Sequence, residues 1–572
     1  LFWFLGVYSS VVRYIDFSVI AIISRSIFIV FVLNIIIEVL YTHILNLYYP
    51  GAYKPLITIE GWLVGLMTFA LLIIGSRLIA YFYLSNTNSE KQVAIYGAGS
   101  AGIQLASALR VSKEMEPVAF IDKNKSLQGT YIGGIKVLPL KKLQKLSAKG
   151  KIDEVLIAIP SASKSTLRTL LKEIENLSVK VRILPGLAEL AQGKVLVSEL
   201  KEVDIADILG RFEVEAHQDL INKNIQNKVV LITGAGGSIG SEISRQVIRT
   251  KASKIILLDS NEYALYSIKN ELESLNLEPE IYTVLASVNN RKRMLEVFKI
   301  FKVNTIYHTA AYKHVPLVEE NPFEAVFNNI NGTKVCAEVA VESAVETFVL
   351  ISTDKAVRPT NIMGATKRFS ELILQSMADQ STTRMTMVRF GNVIGSSGSA
   401  IPLFQQQIRD GGPVTVTDPE VIRYFMSIPE AAELVIQAGA MGRGGDVFVL
   451  DMGEPVKIYE LAKRLINLSG MEVKDSSNPE GDIEIIFTGL RPGEKLYEEL
   501  LIGDNVSTTE HKQILRAEED FIESSELEHY LKLIKEAEHS GDVQSLKDIL
   551  GQAVSGFKPS AAIVDVVYQN KN

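Results

Sequence analysis

Long apolar stretches fill the first part of the chain, and shorter apolar runs followed by glycine-rich turns fill much of the rest. Residues 19–41 (VIAIISRSIFIVFVLNIIIEVLY) and 62–83 are each about as long as the ~20 apolar residues that cross a bilayer. Soluble helices rarely stay apolar on every face over such a length. We therefore predict a membrane segment over residues 1–84, with transmembrane helices at about 19–41 and 62–83. The apolar residues 1–12 indicate the tail of an earlier span.

Basic residues flank the two predicted spans. Arg13 precedes the first and Lys91 follows the second, whereas the 43–58 connection contains Lys54 alone. Because loops rich in Lys and Arg stay on the cytoplasmic side, both flanks are expected in the cytoplasm. The folded part of the chain should therefore lie in the cytoplasm.

A strand, a glycine turn and a helix start follow the membrane segment. The run VAIY at 93–96 precedes GAGSAG at 97–102, and Asp122 ends the next strand 20 residues after Gly102. This spacing matches a dinucleotide fingerprint, although a lone fingerprint is weak evidence. We predict a first Rossmann-like domain over 90–215. It either binds a nucleotide or is purely structural, and the lack of accompanying catalytic residues favours the structural interpretation.

A second unit repeats this pattern with more detail. The run KVVLIT at 228–233 precedes GAGGSIG at 234–240, and the following strand ends in Asp259. Amide groups and a helix N-terminus in such a turn can face a diphosphate. A carboxylate at Asp259 accepts from ribose hydroxyls and repels a 2′-phosphate, so NAD is preferred over NADP. The predicted cofactor-binding residues of this unit are Gly234, Gly237, Ser238, Ile239, Gly240 and Asp259.

Six ordered motifs then narrow the class of protein. They are HTAAYKHVP at 308–316, STDKAVRPTN at 352–361, MGATK at 363–367, RFGNVIG at 389–395, RYFM at 423–426 and RPGEK at 491–495. Together they resemble the membrane-bound nucleoside-diphosphate-sugar 4,6-dehydratases of the extended short-chain dehydrogenase/reductase superfamily, which serve bacterial polysaccharide and protein-glycan synthesis.

The resemblance implies an α/β fold. We expect N-terminal transmembrane helices followed by two Rossmann-type doubly wound parallel sheets, the second an extended short-chain dehydrogenase/reductase fold with a small C-terminal substrate lobe. The catalytic domain should span 225–515, and 516–572 should form a helical tail, either solvated or packed. The resemblance further implies a homo-oligomer in the bacterial inner membrane. Its substrate would be UDP-N-acetylglucosamine and its product a UDP-4-keto-6-deoxy sugar.

The resemblance also assigns the chemistry. NAD takes hydride from C4 and returns it to C6, and water is lost between these steps. Asp354 would be the acid at the C6 oxygen, Lys355 the base at C5, and Thr353 a donor to the C4 oxygen; a surface ion pair is the alternative for Asp354 and Lys355. Burial beside the nicotinamide and Lys367 is expected to lower the pKa of Lys355, with Asp354 opposing this.

The resemblance also assigns Ala310, Ala311 and Lys367 to cofactor binding. Lys367 matches the lysine of the superfamily's Tyr-x-x-x-Lys motif, but Met363 stands where that motif has tyrosine. A thioether carries no phenolic proton, so the group that deprotonates the C4 hydroxyl is open between Asp354, Lys355 and a water relayed through Thr353. By resemblance, Met363 favours retention at C5. The predicted substrate-binding residues are Lys313, Asn392, Arg423 and Arg491.

Composition excludes several other classes. The net charge of −7 and the pI near 5.7 give no support for nucleic-acid binding. The single cysteine, Cys336, excludes a multi-cysteine metal site, and the seven histidines show no ligand spacing. We therefore predict no metal.

Two alternatives remain open. A nucleotide-sugar 4-epimerase would use the same cofactor but would need no acid/base pair for C5 and C6, which Asp354 and Lys355 provide. A non-catalytic membrane scaffold that senses nucleotide would be consistent with Met363.

Overall fold

The computed structural model describes residues 17–50, 57–85, 91–112, 114–184, 200–203, 205–209, 216–499, 506–559 and 562–571. Contacts divide the chain into two compact units, residues 1–90 with 113–116, and residues 91–112 with 117–572. The predicted tail of an earlier span, residues 1–12, lies outside the described residues.

The first unit contains two long helices, α1 (Phe17–Tyr48) and α2 (Ile59–Ser85). Within the described part of the chain, only the Ser24–Tyr48 stretch of α1 is both long and apolar enough to cross a membrane. The corresponding apolar stretch of α2 is shorter and covers Glu60–Ile73. The described residues thus contain one apolar helix of membrane-crossing length, α1, and both transmembrane spans remain predictions.

Glu38 is the acidic residue in the middle of the apolar helix α1. Its carboxylate accepts a hydrogen bond from Trp62 Nε1 at 2.5 Å and another from the Ile57 backbone N–H at 2.9 Å. Because a charge in apolar surroundings is costly without partners, these contacts favour the pairing of α1 with the start of α2.

The second unit begins with a seven-stranded sheet. Its strands are β1 (Lys91–Tyr96), β2 (Met115–Ile121), β3 (Tyr131–Ile132), β4 (Ile135–Leu138), β5 (Glu154–Ile157), β6 (Lys180–Ile183) and β7 (Lys201–Glu202). Its helices are α3 (Ser100–Ser112), α4 (Leu140–Ser147), α5 (Lys164–Ile174) and α6 (Ile205–Leu209). The strand order is β3-β4-β2-β1-β5-β6-β7. The pairs β1–β5, β5–β6 and β2–β4 are parallel, which confirms a Rossmann-like sheet.

The glycine turn after β1 is tightly closed. Gly97 has φ +106°, a conformation that favours glycine. A Cβ on Gly102 would lie 1.9 Å from the Gly97 carbonyl oxygen, so α3 can approach the turn only with glycine at that position. Asp122 accepts a hydrogen bond from the Ala98 backbone N–H at 2.8 Å.

A nine-stranded sheet forms the centre of the second half. Its strands are β8 (Val229–Thr233), β9 (Lys254–Asp259), β10 (Glu280–Leu285), β11 (Thr305–His308), β12 (Thr347–Ile351), β13 (Arg384–Arg389), β18 (Asp446–Leu450), β22 (Val506–Thr508) and β23 (Ile514–Ala517). Their order is β10-β9-β8-β11-β12-β13-β18-β23-β22. The first seven are parallel to one another, β23 is antiparallel to β18, and β22 is antiparallel to β23. The central strands are buried runs rich in Val, Ile and Leu, as expected for a sheet covered on both faces.

Short strands lie between β13 and β22. They are β14 (Asn392–Val393), β15 (Val414–Val416), β16 (Ile422–Arg423), β17 (Phe425–Met426), β19 (Val456–Lys457), β20 (Val473–Lys474) and β21 (Ile483–Phe487).

Helices cover the nine-stranded sheet and continue to the C-terminus. They are α7 (Gln218–Lys223), α8 (Ser238–Val247), α9 (Glu262–Ser274), α10 (Arg291–Phe301), α11 (Val315–Glu320), α12 (Pro322–Ala325), α13 (Gly332–Glu342), α14 (Ile362–Ala378), α15 (Ala400–Arg409), α16 (Ile428–Met441), α17 (Ile458–Leu468), α18 (Ser524–Ser540), α19 (Val543–Ala553) and α20 (Val566–Lys571). The strand order reverses between β8 and β11. In open parallel sheets, the crevice at such a reversal is where ligands bind.

A small lobe is built from β15, β20 and β21 with α15 and α17, and it packs on the first sheet. Apolar residues of both form one continuous core, which includes Ile157, Val181, Phe404 and Ile466. Polar contacts join the same surfaces, because Arg464 lies 3.5 Å from Glu175. The lobe and the first sheet therefore share a hydrophobic core.

The C-terminal helices α18 and α19 pack on α14. Leu546 and Leu550 are completely buried in a cluster that contains Phe369 of α14. Of the two states predicted for this tail, solvated or packed, the structure shows the packed one.

Leu550→Ala is expected to lower the free energy of unfolding by about 2–5 kcal/mol, because it leaves a cavity in the α14–α19 core. Gln552→Ala, at an exposed position one residue beyond Gly551, should change it by less than about 0.5 kcal/mol. Denaturant unfolding of the detergent-solubilised protein measures both. Equal values for the two variants would show that the tail adds nothing to the core.

Candidate active site

A cavity of about 840 Å³ opens at the carboxyl ends of β8, β11 and β12. Most of the predicted site residues line it: Gly237, Ser238, Ile239, Gly240, Ala311, Lys313, Thr353, Lys355, Met363, Lys367, Asn392, Arg423 and Arg491. Four predicted residues are not in its lining: Gly234, Asp259, Ala310 and Asp354. The residues predicted to bind the cofactor and the substrate thus lie at one cavity. The turn with the predicted acid and base, Thr353–Lys355, lies there too and is called the catalytic turn below.

The glycine turn after β8 is shaped by close backbone contacts. Gly234 has φ +64°, and a Cβ there would lie 2.8 Å from Ala310. A Cβ on Gly240 would lie 2.1 Å from the Gly234 carbonyl oxygen. Gly234 and Ala310 therefore form the base of the turn, while the N-terminal end of α8 faces the cavity.

Asp259 ends β9 and holds this turn in place. Its Oδ2 accepts a hydrogen bond from the Gly236 N–H at 2.8 Å, and its Oδ1 accepts one from the Asn261 N–H at 2.8 Å. Because each carboxylate oxygen has two lone pairs, both atoms can still accept from a ribose hydroxyl.

The catalytic turn follows β12 directly. Asp354 is 1% exposed, and its Oδ1 accepts hydrogen bonds from Thr353 Oγ1 at 2.9 Å and from Lys355 Nζ at 3.0 Å. Its Oδ2 is buried without a partner. Thr353 and Lys355 line the cavity, whereas Asp354 is not among its lining residues. The carboxylate predicted as the acid is thus enclosed behind these two side chains.

Lys355 does not have the lowered pKa that the sequence suggested. Burial acts in that direction, but the carboxylates of Asp354 and Glu498 outweigh it, and the pKa of Lys355 is raised. Glu498 Oε1 lies 3.5 Å from Lys355 Nζ, and Asn392 Oδ1 accepts from the same ammonium at 3.3 Å. The expectation was wrong because it counted only one carboxylate.

Met363 and Lys367 lie one turn apart on α14, and both are buried in the cavity wall. Burial lowers the pKa of Lys367 to about 8, with Glu371 opposing the shift. No described residue makes a hydrogen bond or ion pair with the Lys367 ammonium. The wall at this point therefore presents a thioether and a lysine that is free to contact a ligand.

The start of α14 is fixed against the catalytic turn. Asn361 caps the helix by accepting from the Gly364 N–H at 2.8 Å, and the buried carboxylate of Glu319 accepts from the Ile362 N–H at 2.6 Å. A Cβ on Gly364 would lie 2.1 Å from the Lys355 carbonyl oxygen. Glycine at this position allows the helix to touch the turn, which sets the position of Lys367 relative to Lys355.

The predicted substrate residues differ in how available they are. Arg423 is buried, and its guanidinium already donates to Glu494 at 3.0 Å and to the Ile422 carbonyl at 2.8 Å. The side chains of Arg491 and Lys313 have no hydrogen-bond or ion-pair partner among the described residues. Desolvation by the cavity wall lowers the pKa of Lys313. Arg491 and Lys313 are thus free for an anionic ligand, whereas Arg423 would have to exchange partners.

A buried ion network lies behind the catalytic turn. Glu371 of α14 accepts from Arg389 at 2.8 and 2.6 Å, from Arg368 at 2.9 Å and from Ser352 at 2.6 Å. Arg389 is completely buried and also pairs with Glu519. Burial would raise the pKa of Glu371, but the two guanidinium groups, Arg389 first, hold it at about 2.

Sequence reasoning missed Glu498 and the Glu371–Arg389 network. Glu498 lies three positions beyond the RPGEK motif, in the run YEE, which looks like an ordinary exposed segment. Arg389 begins one recognised motif and Glu371 follows another, but nothing in their spacing indicates that they touch. Glu371 is the lone acid of α14, and this was the available signal.

The sheet order and the cavity at its reversal define a Rossmann-type α/β protein. The sequence pattern of a polysaccharide biosynthesis protein family matches residues 230–519, and that of a CoA-binding domain matches residues 59–185. The chain belongs to this polysaccharide biosynthesis family.

Individual relatives agree with this membership. The capsular polysaccharide biosynthesis protein CapD of Staphylococcus aureus is 46% identical over 82% of this chain and 77% of its own length. The probable polysaccharide biosynthesis protein EpsC of Bacillus subtilis is 46% identical over 76% of this chain and 73% of its own. A UDP-glucose 4-epimerase of Rickettsia canadensis is 33% identical over 50% of this chain and 80% of its own.

Glu371→Gln is expected to lower the free energy of unfolding by about 3–5 kcal/mol at pH 7, because it leaves Arg389 buried with one carboxylate fewer. The folded-state pKa is depressed, so the contribution of Glu371 is present above the unfolded value of about 4.5 and is lost as the pH falls towards 2. Unfolding measured between pH 7 and pH 3 should show the gap between wild type and variant closing. Glu518→Gln, an exposed neighbour of Glu519, is the control. A gap that stayed constant with pH would contradict this role.

Proposed function

We propose that the protein is an NAD-dependent nucleotide-sugar 4,6-dehydratase that converts UDP-N-acetylglucosamine into a UDP-4-keto-6-deoxy sugar for glycan synthesis. The observation that carries this proposal is the Asp354–Lys355 pair, 3.0 Å apart, at the end of β12, two strands from the glycine turn that follows β8. An acid and a base at one wall of the cavity are what elimination of water across C5 and C6 requires.

The residues around the glycine turn fit NAD. Gly234 and Gly240 leave a backbone cradle that a Cβ would fill, and Asp259 retains acceptor capacity for ribose hydroxyls. The carboxylate disfavours the 2′-phosphate of NADP. NAD, when bound, supplies the hydride acceptor for C4 and the hydride donor for C6. Lys367, free of partners on the cavity wall, would hold the nicotinamide ribose.

The catalytic turn carries the proton transfers in this proposal. Thr353 Oγ1 hydrogen-bonds the C4 oxygen, Lys355 takes the proton from C5, and Asp354 gives a proton to the departing C6 oxygen. Because Asp354 lies behind Thr353 and Lys355, its proton reaches the substrate only when one of those side chains shifts. No described residue donates a hydrogen bond to Asp354 Oδ2, so this oxygen is available to carry the proton.

The first deprotonation, at the C4 hydroxyl, still has several candidates. The raised pKa of Lys355 disfavours the neutral amine that either deprotonation, at the C4 hydroxyl or at C5, requires. Asp354 and a water relayed through Thr353 are the other candidates at the C4 hydroxyl. The structure adds Lys367, whose pKa of about 8 leaves part of the amine neutral near pH 7.

The second candidate function is a nucleotide-sugar 4-epimerase, which the similarity to the UDP-glucose 4-epimerase of R. canadensis favours. An epimerase returns hydride to C4 and leaves the composition of the sugar unchanged. The mass of the product therefore separates the two reactions.

Incubation of the detergent-solubilised protein with UDP-N-acetylglucosamine is expected to yield a product lighter by one water, and denaturation should release NAD rather than NADP. Asp354→Asn and Lys355→Met should each reduce kcat by about 10²–10⁴-fold, because each removes a proton-transfer group. Lys512→Met, at an exposed lysine outside the cavity, is the control. Mass spectrometry and NMR of the product decide. An unchanged mass with every UDP-sugar tried would rule out dehydration, and full turnover in both variants would rule out Asp354 and Lys355 as its acid and base.

We further propose that α1 and α2 anchor the protein in the inner membrane with the catalytic part in the cytoplasm. The apolar stretch Ser24–Tyr48 and the basic residues flanking the helices support this. The predicted homo-oligomer belongs to the same proposal.

Leu33→Lys, in the exposed middle of α1, should weaken membrane insertion by about 3 kcal/mol, whereas Leu33→Ala should have little effect. After an alkaline wash, the wild type is expected to remain in the membrane pellet. In a second experiment, protease added outside spheroplasts should not digest its cytoplasmic part. Recovery of the wild type in the wash would contradict the anchor.

A further inference from the structure

Glu498 is a buried carboxylate in the cavity wall that no sequence motif singled out. It belongs to residues 491–499, a segment that joins the lobe to the catalytic turn. Its side chain is 4% exposed, and its Oε1 lies 3.5 Å from Lys355 Nζ and 3.9 Å from Arg423 Nε. Its Oε2 is buried and has no hydrogen-bond partner among the described residues.

The partners of Arg423 show whether Glu498 pairs mainly with Lys355 or with Arg423. Arg423 already donates to Glu494 at 3.0 Å, closer than its distance to Glu498. Lys355 likewise has another carboxylate at 3.0 Å, that of Asp354. The shorter distance from Glu498 to Lys355, 3.5 Å against 3.9 Å to Arg423, therefore places Glu498 with Lys355.

Asp354 alone could not hold the lysine in one direction. Asp354 and Lys355 are adjacent in the same turn, so the ion pair between them is compatible with many orientations of the flexible lysine side chain. Glu498 contacts Nζ from a different segment of the chain. Two anchors on different segments, with Asn392 Oδ1 as a third contact, define where the ammonium lies.

The unpartnered Oε2 argues against a purely architectural role. A buried oxygen without a hydrogen-bond partner costs stability, and such groups in folded proteins call for a functional explanation. Glu498 braces no backbone group among the described residues. Its contacts are with the lysine of the catalytic turn and, at a longer distance, with Arg423.

We propose that Glu498 is a positioning residue of the catalytic turn, which together with Asp354 clamps the Lys355 ammonium at the cavity wall. The role of Lys355 in catalysis rests on the proposed dehydratase function, but the clamp itself does not. The charged groups that face Lys355 are Asp354 from its own turn, Glu498 from the 491–499 segment and Arg423 from β16. The two carboxylates raise the pKa of Lys355, so losing one of them must lower it.

Competitive acetylation of the full-length protein tests the clamp without turnover, since acetic anhydride reacts with the neutral amine and not with the ammonium. Peptide mass spectrometry across pH gives the labelling midpoint of Lys355. Glu498→Gln keeps the shape and removes the charge, so the midpoint should move to lower pH by about one unit or more. Glu499→Gln is the matched control, because Glu499 pairs with Arg358 and Lys495 instead. An unmoved midpoint in Glu498→Gln, or an equal shift in Glu499→Gln, would overturn the clamp.

Kinetics supply the second readout. If Lys355 is the C5 base, the ascending limb of the kcat/KM profile of Glu498→Gln should move to lower pH with the labelling midpoint, and Glu498→Asp should restore the wild-type limb. A wild type that loses no water from its substrate would refute the dehydratase proposal and leave the labelling result intact. If Glu498→Gln does not fold, the labelling midpoint of Lys355 in Glu498→Asp decides. A midpoint within about half a pH unit of the wild-type value supports the clamp. A shift of the midpoint as large as that in Asp354→Asn overturns it.

Discussion

The active site depends on one buried interaction, the ion pair between Glu371 and Arg389. Arg389 ends β13, Glu371 lies on α14, and the same carboxylate accepts from Ser352 at the end of β12. The pair thus joins two strand ends to the helix that carries Met363 and Lys367. Two charges in the interior must be matched closely, because an unpaired one is expensive. The relative position of the three elements is therefore held within narrow limits, and with it the distance between the catalytic turn and the cofactor side of the cavity.

The opposite wall of the cavity is formed by a segment that is distant in the sequence from the catalytic turn. The 491–499 segment reaches the catalytic turn through Glu498 and through the Gly493 carbonyl, which accepts from Thr360 and Asn361. The side chain of Arg491, in the same segment, has no hydrogen-bond or ion-pair partner among the described residues. A nucleotide sugar in the cavity would thus contact the rigidly held catalytic turn on one side. On the other side it would contact the 491–499 segment, whose ion pairs can be exchanged for contacts with the ligand.

The features predicted from sequence were those whose causes are local. The two glycine turns were found because the strand, the glycines and the terminal acid lie within a few tens of residues, and the structure confirms both Rossmann-type sheets. The pKa of Lys355 was predicted in the wrong direction because its second carboxylate comes from a distant segment. Arg423 matched a motif, yet its guanidinium is committed to Glu494, a pairing that no spacing reveals. Contacts between motifs, unlike the motifs themselves, depend on tertiary packing.

The shared core between the lobe and the first sheet changes what the first Rossmann unit means for the enzyme. Phe404 and Ile466 of the lobe are buried together with Ile157 and Val181 of that sheet. Close-packed interiors transmit displacement rather than absorb it. The first sheet therefore supports one side of the cavity. The lobe cannot move without carrying that sheet along, and a chain lacking the sheet would expose the lobe's apolar underside to water.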